Sequence, residues 1–101
     1  MTMISISSKC VALPGRRSEL ASVFSQVAAT RLDGREIYIV NVDGANDDVL
    51  WVYEVFRDAE ALEAHRESNE VKIAVPASRE LMVEPPETIY GRPVAGIVSL
   101  A

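Results

Sequence analysis

The run VLWVYEVFRDAEALEAH, residues 49–65, decides the fold. Its first half is β-branched and aromatic, the composition of a strand. Strand alternation sends Val49, Trp51, Tyr53 and Val55 to one side and Leu50, Val52, Glu54 and Phe56 to the other. Both sides are largely apolar, whereas a strand in a small antiparallel sheet ordinarily buries one face and wets the other. Two covers are therefore required. Helices of the same chain can supply one. The 101 residues leave no second layer for the other, so the sequence predicts a homodimer packed sheet on sheet.

The second half of the run turns straight into a helix. Asp58 stands at the N-cap position of AEALEAH, where Ala61, Leu62 and His65 share one face through three- and four-residue spacings. His65, the single histidine of the chain, is thus expected to point inward, on the side of the strand that carries Glu54.

Working outward, EIYIVNVD (36–43), joined to residues 49–56 by GANDD, completes a hairpin. MISISSKCVAL (3–13) alternates and reads as a first strand closed by the Pro14-Gly15 turn. Between them, Leu20, Val23, Phe24, Val27 and Ala28 recur at helical spacing, with Asp33-Gly34 as the expected stop. After His65, SNEVKIAVPASRELM places Val71, Ala74, Val75 and Ser78 on one stripe. Pro76, lacking a donor and clashing with the previous turn, is expected to break or kink that helix, which leaves the helical region in two pieces. ETIYGRPVAGIVSL (87–100) supplies a last strand, interrupted by Pro93 or placed by it at an edge. The order β-α-β-β-α-β is the ferredoxin-like α+β arrangement, helices on one face of a four-stranded antiparallel sheet, and the whole of 1–101 reads as one domain.

Composition excludes several function classes. Fifteen acidic against ten basic residues, net charge −5 with no basic cluster, argue against nucleic acid and anionic membrane surfaces. No apolar run approaches the ~20 residues needed to span a bilayer. One cysteine, Cys10, permits no internal disulfide, and no leader pattern precedes the first strand, so a cytoplasmic setting is expected. Cys10 itself reads as a small buried hydrophobe. A single His and a single Cys do not build a typical zinc site, and no metalloprotease helix, phosphate-cradling loop or nucleophile elbow occurs. No cofactor is expected.

The block around residues 49–65 resembles the antibiotic biosynthesis monooxygenase family. The resemblance runs from LPGRRSEL through DGREIY to VYEVFRDAEALEAHRES, and its specific part is Glu54, Phe56, Asp58, Ala61-Leu62, His65 and Ser68, with Gly34 and Tyr38 at the family's glycine-to-tyrosine spacing. Where many members read Ser-Pro-His, this chain has Ser68-Asn69-Glu70. The resemblance implies a dimer whose two sheets pack into an α/β barrel. It also implies a small-molecule oxygenase that uses O2 without metal, flavin or haem, on electron-rich aromatics such as quinols and anthrones. Other proteins on this scaffold are isomerases or have no assigned reaction, so a non-catalytic ligand- or protein-binding module and an isomerase stand as alternatives.

Such chemistry needs a base, because triplet oxygen reacts slowly with closed-shell molecules until a proton is removed to make an electron-rich anion. His65 titrates nearest neutrality and is the candidate base or polariser, with Glu54 to orient it. The competing reading is a buried polar contact that only satisfies two groups. Tyr38, Trp51 and Tyr53 can form an aromatic wall for a planar substrate, or serve core and interface packing. Asn41, an amide inside an apolar strand, can donate to a substrate oxygen or serve as a partner near the turn. Arg79 and Arg92 can neutralise an anionic ligand or lie solvated.

Overall fold

The computed structural model describes residues 2–96. Its elements are β1 (Ile4–Val11), α1 (Arg17–Ala29), β2 (Arg35–Val42), β3 (Val49–Phe56), α2 (Ala59–Glu67), α3 (Asn69–Arg79) and β4 (Glu87–Gly91). The strands form one sheet in the order β2-β3-β1-β4, antiparallel throughout, which is the ferredoxin-like α+β arrangement. β3 sits at its centre, as a strand apolar on both sides should.

Register explains the core. Cys10 pairs with Leu50, Ser8 with Val52 and Ile6 with Glu54, so these residues share the helix-covered face. There Cys10, Ala12, Leu20, Leu50, Val52 and Met82 form one buried cluster, extended by Phe24, Tyr38 and Val40. Ile6, Phe56, Ala61 and Leu62 form a second cluster under α2.

The opposite face is bare in its middle rows, while Val49 and Val55 on the same side of β3 are buried within the chain. Ile39, Tyr53, Ser7 and Ile89 make one row across the four strands, and Asn41, Trp51, Lys9 and Glu87 the next. Ile39 is 49% exposed, Tyr53 37% and Ile89 69%, so large apolar side chains of three strands stand open on the single chain, with Ser7 between Tyr53 and Ile89.

Two helix boundaries differ from the sequence expectation. α1 stops at Ala29, with Thr30 in extended backbone, three residues before Asp33. Gly34, at φ +83°, instead makes the turn into β2, where its carbonyl accepts from the Arg57 amide at 2.8 Å. The second helical region does divide, but at Ser68 and not at Pro76, which lies inside α3. Ser68 takes extended backbone (ψ 148°) and its hydroxyl caps α3 by accepting from the Val71 amide. Pro76 removes only the bond to the Lys72 carbonyl, and both residues are on the exposed side, where water can hydrate that oxygen. β4 ends at Gly91, before Pro93, and lies at the sheet edge. The expected strand residues 97–100 fall outside the described segment.

Among the described residues, no helix is long and apolar enough to cross a membrane.

Candidate functional site

α2 delivers His65 to the sheet. Asp58 Oδ1 accepts from the Ala61 amide at 2.8 Å, fixing the first turn. Ala61, Leu62 and His65 then form the buried stripe. Gly34 permits this docking, because a Cβ there would come within 2.5 Å of the Ala61 Cβ. At the other end of α2, the Ser68 hydroxyl donates to the His65 carbonyl at 2.7 Å and holds the backbone of the last turn.

The side chain so delivered meets Glu54. His65 Nε2 lies 3.2 Å from Glu54 Oε1, and the two side chains are only 9% and 11% exposed. Phe56 packs against the imidazole with ring centroids 4.9 Å apart, and Tyr38 stands 6.1 Å away. The third partner is Arg35, at the first position of β2. Its Nη1 is 3.4 Å from His65 Nδ1, while Nη2 donates to the carbonyls of Val27 (2.9 Å) and Thr30. These carbonyls lie at the negative end of α1, which has no basic residue in its own last turn. The guanidinium also lies over the Tyr38 ring, 5.3 Å from its centroid.

Beside this network is a cavity of about 160 Å³ between sheet and helices. Its walls are mostly apolar, with Phe24, Val27, Val52, Val71, Ala74 and Met82, and its polar groups are Glu54, His65, Tyr38, Ser78, Cys10 and Ser8. Val75 and Arg79 lie on its exposed rim. A hydrophobic void of roughly 150 Å³ holds one benzene molecule, so this space suits a single aromatic ring. Burial, and next the Glu54 charge, pushes the Cys10 thiol up to about 11. The same two causes, in the same order, push the Tyr38 phenol well above its ordinary value. Both groups are therefore protonated at neutral pH. The Tyr38 hydroxyl has no hydrogen-bond partner among the described residues and can serve as donor or acceptor in the cavity.

The structure thus brings together four groups singled out in the sequence, His65, Glu54, Tyr38 and Arg79, and separates the other four from them: Arg92 lies exposed just after β4 and does not line the cavity, and the remaining three are on the far side of the sheet. Asn41, Trp51 and Tyr53 belong to the bare face, because Asn41 pairs with Trp51 and Tyr53 is two residues on. Asn41 Nδ2 donates to the Trp51 carbonyl (3.2 Å) and Trp51 Nε1 to Asp43 Oδ1 (2.8 Å), so their polar groups are engaged around the hairpin turn. An aromatic wall of Tyr38, Trp51 and Tyr53 does not form, since Tyr38 pairs with Glu54 and faces the helices.

Arg35 was not anticipated. An arginine following a turn glycine carries no signal by itself, and its three partners lie 5, 8 and 30 residues away. The nearness of Cys10 to the site was legible in principle, since its pairing with Leu50 puts it on the face of Glu54.

Comparison with known proteins gives the family and the fold. The model of the antibiotic biosynthesis monooxygenase family matches residues 3–77. Among solved structures, a candidate antibiotic biosynthesis monooxygenase of Chloroflexus aurantiacus superposes with a TM-score of 0.87 at 26% identity, covering 98% of this chain and 99% of that one. A second candidate monooxygenase, from Caulobacter crescentus, gives 0.87 at 24% identity over 93% and 92% of the two chains. A conserved protein of Methanosarcina mazei gives 0.84 at 21% identity over 91% and 93%. The last two likenesses show the fold alone. No curated protein matches the chain.

Proposed function

The chain belongs to the antibiotic biosynthesis monooxygenase family, and from that premise we propose that it oxidises a small, electron-rich aromatic compound with molecular oxygen and without a cofactor. The observation that carries the reading is the contact of His65 with Glu54, 3.2 Å, on the wall of a cavity sized for one ring. That size favours a single-ring quinol over a fused three-ring anthrone.

The chemistry asked of the protein is modest. Hydroquinone and O2 give hydroxyquinone and water, so the ring supplies every electron, one oxygen atom enters it and the other leaves as water. The protein has to take the hydroxyl proton as an electron passes to O2, and to keep water from the radical pair. The Glu54–His65 pair supplies the proton acceptor, the apolar walls from Phe24, Val27 and Val52 exclude water, and Tyr38 is placed to hydrogen-bond a ring oxygen.

The working unit is a homodimer in this reading, because the row Ile39, Tyr53, Ile89 is otherwise an open apolar sheet surface. Asn41 and Trp51 then lie at the interface between subunits. Arg79, at the rim, meets an anionic substituent of the substrate.

Oxygen-electrode measurements on purified, metal-free protein with a panel of hydroquinones test the proposal. Oxygen consumption above the spontaneous rate, reduced in His65→Ala while the dimer persists, is the expected result. No enhancement with any member of a broad quinol panel would exclude an oxygenase and leave a binding module in which His65 and Glu54 serve structure.

A further inference from the structure

Arg35 determines what His65 can do. A guanidinium carries only donors and stays charged at any working pH. With Arg35 Nη1 at 3.4 Å, His65 Nδ1 must be the acceptor. The proton of the neutral imidazole then sits on Nε2, the nitrogen 3.2 Å from Glu54 Oε1. The arginine cannot readily turn away, because its other terminal nitrogen is tied to two carbonyls at the end of α1 and its plane lies over Tyr38.

Both ring nitrogens of His65 therefore face protein groups. Glu54 does not share that restriction. A carboxylate offers about four acceptor positions, and the imidazole stands against one oxygen only. Glu54 lines the cavity, and its side chain is 11% exposed.

We infer that Arg35 is a positioning residue that holds His65 in the Nε2–H tautomer, and that Glu54, not His65, is the acceptor offered to the ligand. The ligand is then an aromatic compound bearing a hydroxyl donor. In the step itself the ligand O–H bond breaks, its proton joins a Glu54 carboxylate oxygen, and the electron leaves for O2, so that aryloxyl, superoxide and a neutral carboxyl result. An acceptor-only ring would set its lone pairs against an ionised carboxylate and bind poorly. This inference rests on the reading of the cavity as a site for a small aromatic.

Two measurements test it. Because His65 is the only histidine, long-range nitrogen-to-ring-proton NMR correlations of 15N-labelled protein report its tautomer without assignment. Protonation on Nε2 with a bare Nδ1 is expected; a bare Nε2, or an imidazolium at neutral pH, overturns the assignment. Arg35→Met should lower the share of the form with a bare Nδ1, since only Glu54 then holds the proton on Nε2, and Arg35→Lys should restore it. Should either variant unfold, the wild-type spectrum alone still decides.

The second measurement compares phenol with pyridine N-oxide, rings of equal size and opposite hydrogen-bonding sense, by calorimetric titration. Phenol should bind at least about tenfold tighter, as a hydrogen bond to a charged acceptor allows. The preference should collapse in Glu54→Gln, whose amide both donates and accepts. Equal binding, or preference for the N-oxide, overturns the role given to Glu54, and failure of both rings to bind overturns it together with the cavity reading. Preference for phenol with no oxygen consumption upholds the ligand class and removes only the oxygenase.

Discussion

Replacing Gly34 with alanine should damage both stability and the site. Gly34 has φ +83°, a conformation that costs an L-residue about 1–2 kcal/mol. The added Cβ would also fall 2.5 Å from the Ala61 Cβ, with Arg57 Nη2 at 3.2 Å. Arg57 can swing aside, but Ala61 belongs to the first turn of α2 and moves only if the helix does. Forced overpacking of this kind costs roughly 1–3 kcal/mol, so the total is about 2–5 kcal/mol. For a domain of this size, that lowers the melting temperature by at least ~8 °C. Gly15→Ala is the control, since Gly15 has a similar φ of +75° and nothing within 4 Å of a new Cβ. Urea denaturation of the two variants separates conformational strain from the clash. Equal losses would refute the claim that α2 is docked against this turn. A smaller loss at Gly34 than at Gly15 would refute it more strongly. Because α2 carries His65, circular dichroism of the melt should be paired with NMR of the imidazole protons, which should shift in Gly34→Ala and stay in place in Gly15→Ala.

Other expectations follow from the same geometry. Asp58→Ala removes the acceptor for the Ala61 amide and should cost about 1 kcal/mol, read as a lower urea midpoint, and Asp58→Asn should recover most of it. Alkaline pH should destabilise the fold: the unfolded Cys10 thiol ionises from its ordinary 9.0, whereas the folded one keeps its proton to about 11. This stability is complete below pH 9, falls as pH rises from there and is gone past about 11. At roughly 1.4 kcal/mol per pH decade the loss approaches ~3 kcal/mol, and Cys10→Ala should flatten that part of the curve. Tyr38 contributes with the same sign. Ile39→Lys together with Ile89→Lys should convert the proposed homodimer to a folded monomer by sedimentation, since both side chains are exposed on the sheet face away from the helices; a double variant that still sediments as a dimer would place the subunit contact elsewhere, and a wild-type monomer would remove the proposed dimer.

Much of this architecture was legible because strand and helix periods act locally. The alternation of residues 49–56 assigned each side chain to its face before any partner strand was known, and the Asp58 cap with the Ala61-Leu62-His65 stripe fixed the inward histidine. Longer-range facts were harder to read. Asn41 was grouped with the candidate site although a hairpin closed through residues 43–48 sets it opposite Trp51, on the far face. Register, not residue type, decided its place. Pro76 suggested a break that Ser68 supplies instead, because a capping hydroxyl one position before Asn69 starts a new helix more effectively than one missing amide ends an exposed one. Arg35 joins α1, β2 and α2 through contacts that no local pattern encodes, although it governs the protonation geometry of the only histidine.

The central claim is that a single aromatic ring occupies the cavity beside Glu54 and His65. Titrating metal-free protein with hydroquinone under anaerobic conditions, while following the ring protons of His65, tests it most directly. A saturating shift with one site per chain is predicted, to be lost when Ala74→Leu fills the space. A linear, unsaturable drift, or no movement of the imidazole signals, would contradict it.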